Sequence, residues 1–183
     1  KTACPDNRGS MLENRPRLLL LAMPSWDLDA PNAALPVVRA LAETAGWSAD
    51  GFDFNLMLYK QASEADRPHW YNGNFCRLEQ TFEIMRNRES YLLETLRSIF
   101  TAQAYDLVGF SVNYSTRYAA IFTAELIRNA GLTTAPIMFG GPDCFPMEYG
   151  LKYLQGEHFH PDVIYMGEAE RDLPPFLREY SSS

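Results

Sequence analysis

The stretch Arg17-Leu18-Leu19-Leu20-Leu21-Ala22-Met23-Pro24 frames the rest of the chain. Its apolar part has strand length, far short of the roughly 20 residues that a membrane span needs. A short apolar run without polar alternation, closed by a proline, predicts a strand over residues 17–23 that is buried on both faces, the habit of parallel sheets. Such a strand needs helices above and below it. Leu35, Val38, Leu41 and Ala42 recur at helical spacing just downstream. Pro36 falls in the first turn, where its missing N–H costs little, and Gly46 stands as a C-cap.

The same alternation continues along the chain. Residues 47–54 form a second predicted strand, 105–111 a third, 136–139 a fourth and 163–166 a fifth. Residues 55–104 are the least regular part. Within them 66–74, with Pro68 and Gly73, reads as a structured loop, and Tyr91, Leu92, Leu93, Leu96, Ile99 and Phe100 make one helix face. Further helices are expected over 118–130, closed by Gly131, over 149–154, and over 172–180. Strands alternating with helices predict right-handed βαβ units. The fold expected is α/β: a flavodoxin-like or Rossmann-like, doubly wound, five-stranded parallel sheet in the order 2-1-3-4-5 with helices on both faces. The 183 residues suit one such domain. Gly9-Ser10 before Met11 reads as a cloning scar, so residues 1–10 are set apart and the domain is placed at 11–183.

Composition excludes several classes. The net charge of −7 argues against a nucleic-acid partner, which calls for a basic face. Nothing predicts a membrane span or a signal peptide, so a cytoplasmic protein is expected. Cys4, Cys76 and Cys144 are dispersed and form no metal or redox motif.

In an open parallel sheet, ligands bind outside the carboxyl ends of the strands. The candidate binding residues therefore follow the strands: Trp26, Asp27, Leu28, Asp29 and Asn32; Ser111, Val112, Asn113 and Tyr114; Gly140, Gly141, Pro142, Asp143 and Cys144; and Gly167 with Glu168. Each also has a plain structural account. Gly140-Gly141 makes a tight turn, Ser111 caps the next helix, Glu168 and Glu170 favour a helix N-terminus, and Trp26 packs its loop.

Five elements in order carry a resemblance. They are the apolar first strand with its proline loop, Phe52-Asp53-Phe54-Asn55-Leu56, Asp106-Leu107-Val108-Gly109-Phe110-Ser111, Gly140-Gly141-Pro142, and Gly167-Glu168-Ala169-Glu170. Over roughly residues 17–178 the chain resembles the cobalamin (vitamin B12)-binding domain of cobalamin-dependent radical SAM enzymes. The resemblance implies cobalamin held at the carboxyl edge by the candidate residues, with Ser111 hydrogen-bonded to the dimethylbenzimidazole tail. It implies a partner too, a radical SAM catalytic domain in the parent protein. That domain would hold SAM and the 4Fe-4S cluster and would carry out methyl transfer.

Two departures qualify what is implied. Cobalamin domains of the methionine synthase and mutase type carry Asp-x-His-x-x-Gly after the first strand, where the histidine ligates cobalt. Here the loop reads Ser25-Trp26-Asp27-Leu28-Asp29-Ala30-Pro31-Asn32, and the histidines are His69, His158 and His160. The resemblance thus implies base-off cobalamin without a histidine lower ligand and no protein metal ligand. No CxxxCxxC triad is present either, so the chain carries no catalytic residue and no complete active site. Three other classes remain to be weighed. One is a degenerate domain of this fold that binds no cobalamin and docks a partner or substrate through Trp70, Tyr71, Phe75 and Phe82. The second is a flavin mononucleotide or nucleotide binder, and the third a phosphorelay receiver.

Overall fold

The computed structural model describes residues 15–30, 32–145, 150–155 and 159–181. Residues 1–10, Met11, Pro31, Tyr149 and His158 lie outside the described residues. Five parallel strands form one sheet: β1 (Arg17–Ala22), β2 (Ser48–Asp53), β3 (Leu107–Ser111), β4 (Ile137–Gly140) and β5 (Val163–Tyr165). Their order is β2-β1-β3-β4-β5, the doubly wound arrangement expected.

The period-2 geometry of a strand explains why β1 needs apolar residues throughout. Leu19, Leu21 and Met23 point into one core, and Leu18 and Leu20 point into the other. At about 1.5–3 kcal/mol per fully buried leucine, the run is a large favourable term. The helices α1 (Ala34–Thr44) and α7 (Ala169–Tyr180) cover the Leu18–Leu20 face. There the Trp47 indole donates to the Leu177 carbonyl at 3.0 Å and pins α7 to the sheet. The opposite face carries α2 (Phe54–Gln61), α3 (Leu78–Arg86), α4 (Glu89–Ala102), α5 (Arg117–Asn129) and α6 (Gly150–Gln155).

The segment 55–104, expected to be the least regular, is mostly helical. Helix α2 starts where β2 ends because the Asp53 carboxylate accepts the Leu56 N–H at 3.0 Å and caps it. Its 8 residues are too few for a clear helical period, and the buried Asn55 interrupts its apolar face. The expected 66–74 loop contains one 3-10 turn, Arg67–Trp70, and a second, Asn74–Cys76, begins at its last residue. The expected face of α4 is buried through Leu92, Leu96 and Ile99. Helix α7 begins at Ala169, three residues before the predicted start, as the Glu168 carbonyl accepts from Arg171 and Asp172.

Polar caps close the amino edge of the sheet. Asp106 accepts the Arg17 N–H at 2.8 Å, and Asp162 accepts the Ile137 N–H at 2.7 Å while pairing with Arg128. Among the described residues, no helix is long and apolar enough to cross a membrane.

Candidate functional site

The carboxyl edge is built differently. After each of the five strands comes one large apolar side chain left in solvent: Trp26 after β1, Leu56 after β2, Tyr114 after β3, Phe145 after β4 and Met166 after β5. They are 37–63 % exposed. Among the described residues only Val37 and Tyr71 are comparable, and neither lies at the amino edge. Scattered exposed apolar groups are ordinary, but their gathering on one edge marks a contact surface. Leu56, Phe145 and Met166 were absent from the candidate binding residues: Phe145 and Met166 are isolated apolar residues in loops, which give no periodic signal, and Leu56 lies in the first turn of α2, whose helical period was not recognised.

The loops that bear these side chains are fixed. Asn55, only 2 % exposed, accepts the Trp26 N–H at 3.2 Å and donates to the Trp26 carbonyl at 3.1 Å. On the other side, the Ser115 hydroxyl donates to the Ser25 carbonyl at 2.6 Å, and the Ser25 N–H reaches the Ser115 carbonyl at 3.3 Å. Asn113 Oδ1 accepts from the N–H groups of Ser115 and Thr116, and Thr116 Oγ1 accepts from the Asn113 N–H. Asn113 thus fixes the turn that leads into α5, and the expected cap at Ser111 is not used.

On the face covered by α1 and α7, the last rung of the sheet is low. Ala22 pairs with Ser111, Ser111 with Gly140, and Gly140 with Tyr165. Val112, one residue on, is buried in the opposite core. Among the described residues the Ser111 hydroxyl has no protein partner, so it is available to an incoming acceptor or donor.

Gly140 and Gly141 differ in kind. A Cβ on Gly140 would meet Tyr165 at 3.5 Å, an ordinary contact. On Gly141 it would lie 2.5 Å from the Val112 carbonyl oxygen, and the φ of +116° already favours glycine. The packing of the chain against itself therefore accounts for Gly141 without any ligand. Pro142 opens the short 3-10 turn that follows, whose other two residues face inward. Asp143 is 3 % exposed and takes Arg117 Nε at 2.6 Å, Arg117 Nη2, and the Tyr153 hydroxyl at 2.7 Å. Burial alone would lower the Arg117 guanidinium, but the Asp143 carboxylate overrides it and raises its pKa. Cys144 is wholly buried, and burial followed by the Asp143 charge pushes its thiol up to about 12. The side chains of Asp143 and Cys144 thus hold the turn from within. Gly167 turns the chain after β5, and Glu168 stands exposed at the start of α7.

Beside β1 and β2 lies an open cleft of about 480 Å³, lined by Asp27, Leu28, Asp29, Ala30, Asn32, Leu35, Pro36, Asp53, Asn55 and Leu56. Its volume falls in the usual range for small-molecule sites. Three of its side chains are carboxylates and none is basic. Asn32 accepts the Ala34 N–H at 2.9 Å, so the α1 N-terminus is already partly satisfied. A phosphate here would meet the wrong field, which speaks against the flavin mononucleotide or nucleotide class. A receiver needs an aspartate at the end of β3, where Ser111 stands.

Neither a family model nor a curated protein matches the chain. Among solved structures, one likeness concerns TsrM, a radical S-adenosylmethionine methyltransferase from Kitasatospora setae, with a tryptophan substrate and a SAM analogue bound. The TM-score is 0.51 at 21 % identity, over 91 % of this chain and 26 % of TsrM. The likeness is one of fold. This chain spans about a quarter of that enzyme's length.

The remaining candidates are the histidines and the aromatic residues of the insert. His69 sits in the insert, 2.6 Å from Asn74 and 4.0 Å from Asp66, and His160 precedes β5 at the amino edge. Among the described residues no cluster of His, Cys, Asp or Glu is arranged to hold a metal ion. Of the four insert aromatics, Trp70 and Phe75 are core residues, and Phe82 packs edge-on against Phe122 at 5.3 Å. Only Tyr71 is freely exposed, so they form no continuous docking face.

Proposed function

We propose that this chain is the cobalamin-holding part of a cobalamin-dependent radical SAM methyltransferase of the cytoplasm. The observation that carries the proposal is the set of exposed apolar side chains, one after each strand, on the edge where this fold binds ligands. A large flat ring system buries its apolar area on such a platform. The fold likeness to a radical SAM methyltransferase supports the same reading.

The residues present fit the cofactor. Trp26, Tyr114 and Phe145 offer apolar contact to one face of the corrin, with Leu28 and Val112 beneath. Backbone at Gly140, Gly141 and Pro142 permits close approach. Asp27, Asp29 and Asn32 accept hydrogen bonds from corrin amide side chains, and Glu168 lies at the β5 side. The Ser111 hydroxyl, without a partner among the described residues, serves the benzimidazole tail on the α1/α7 face. No histidine stands at this edge among the described residues, in keeping with base-off binding without a histidine lower ligand. When bound, cobalamin supplies a cobalt that carries a methyl group. This chain's own work is to orient the ring and shield one face. SAM, the 4Fe-4S cluster and the substrate belong to a radical SAM domain elsewhere in the parent protein.

The test is the absorbance spectrum after incubation with hydroxocobalamin and desalting, with isothermal titration in parallel. Stoichiometric retention with modest affinity is expected, because one face stays open and forfeits burial. Cobalamin lost entirely on desalting, with no heat of binding, would overturn the proposal.

A further inference from the structure

Asn55 is a buried polar residue that the proposed ligand contacts do not use, and its partners lie on two different segments. Its Oδ1 accepts both the Trp26 N–H at 3.2 Å and the Trp70 indole N–H at 2.9 Å. Its Nδ2 donates to the Trp26 carbonyl at 3.1 Å. One side-chain amide therefore binds both polar backbone groups of Trp26, as a neighbouring strand would. The ring of Trp26 remains 39 % exposed while its backbone is held.

The second partner comes from the insert between α2 and α3. Trp70 is itself packed by Phe75 at 5.1 Å, by Tyr59 at 5.6 Å, and by the Arg88 guanidinium at 5.4 Å over its ring. Arg88 is 8 % exposed, and it ties the insert down by pairing with Asp66 at 2.9 Å. A continuous set of contacts thus runs from Arg88 and Asp66 through Trp70 and Asn55 to Trp26.

We propose that Asn55 is a positioning residue for the ligand edge: it fixes the loop after β1 so that Trp26 is presented outward, and docking of the insert through Trp70 completes its grip. The proposal rests on the assignment of Trp26 to the cofactor platform. Loss of the amide frees both backbone groups of Trp26 to exchange with water, and the loop then samples other conformations.

The chain has three tryptophans, and Trp47 and Trp70 are 1 % and 6 % exposed, so acrylamide quenching reports mainly on Trp26. In Asn55→Ala the Stern–Volmer constant should rise by up to about 2.5-fold, the ratio of full exposure to 39 %. Circular dichroism should stay native. Trp70→Phe, which keeps the ring packing and removes one donor, serves if Asn55→Ala fails to fold. Because it also removes a buried emitter, a Trp26→Phe/Trp70→Phe control supplies the Trp47 contribution and a Trp26→Phe control the combined Trp47 and Trp70 contribution in wild type. The Trp26 component should then show a smaller rise. Cobalamin retention by both variants should fall below wild type. Quenching unchanged from wild type in a folded variant overturns the proposal. A wild-type protein that retains no cobalamin sinks the functional assignment instead, since the quenching result needs no ligand.

Discussion

Replacing Asp143 by Ala removes a carboxylate that faces the buried Arg117 guanidinium through two N–H groups. Both residues are under 9 % exposed, so water replaces the lost partner poorly. Arg117 keeps its contacts with the rings of Tyr114 at 5.2 Å and Tyr118 at 5.7 Å, which soften the loss without neutralising the charge. Breaking a buried pair from one side costs about 3–5 kcal/mol. For a chain of this size that is a fall in Tm of roughly 6–20 °C. Tyr153→Phe removes the hydrogen bond to the Asp143 carboxylate, which should cost about 1.5–3 kcal/mol. The assay is urea unfolding followed by circular dichroism, completed by Arg117→Leu and the Arg117→Leu/Asp143→Ala double variant. The cycle should show strong coupling, with the double variant more stable than Asp143→Ala alone. A loss below about 1 kcal/mol for Asp143→Ala, the range of an exposed ion pair, would refute a buried clamp on the β4 turn.

Two further outcomes follow from the same geometry. Gly141→Ala should destabilise the protein with no ligand present, because its Cβ meets the Val112 carbonyl oxygen at 2.5 Å, whereas Gly140→Ala should unfold within a few degrees of wild type. Equal Tm values for the two variants would show that the turn has room that its backbone denies. Stability should also decline at alkaline pH. Burial, then the Asp50 hydrogen bond, lifts Tyr105 from 10.0 to about 12, and burial lifts Cys144 from 9.0 to about 12. These groups ionise earlier in the unfolded chain, so their stabilisation is intact below about pH 9 and is lost towards pH 12. Urea titrations across that window should show a shallower decline for Tyr105→Phe, and an unchanged slope would count against the shift.

What was legible in the sequence followed from local rules. The uninterrupted apolar run at 17–23 needed two covering layers, and Gly46 and Gly131 marked helix ends with φ of +90° and +62°. The alternation of strand and helix then left one economical topology, and the edge proposed for the ligand followed from topology alone. Helix α2 escaped notice because its 8 residues include a buried asparagine whose partners lie 29 and 15 residues away.

The sequence by itself determined the layers, the strand order and the edge proposed for the ligand, because periodicity and turn chemistry are properties of neighbours along the chain. Only the tertiary structure decided what each edge residue does there. It turned Asp143 and Cys144 inward, left the Ser111 hydroxyl without a partner among the described residues, and assigned Gly141 to a backbone contact with Val112. It also left Leu56, Phe145 and Met166 exposed on the same edge of the sheet as Trp26 and Tyr114. Such roles depend on which atoms from distant segments reach one point in space, and no spacing along the chain encodes that.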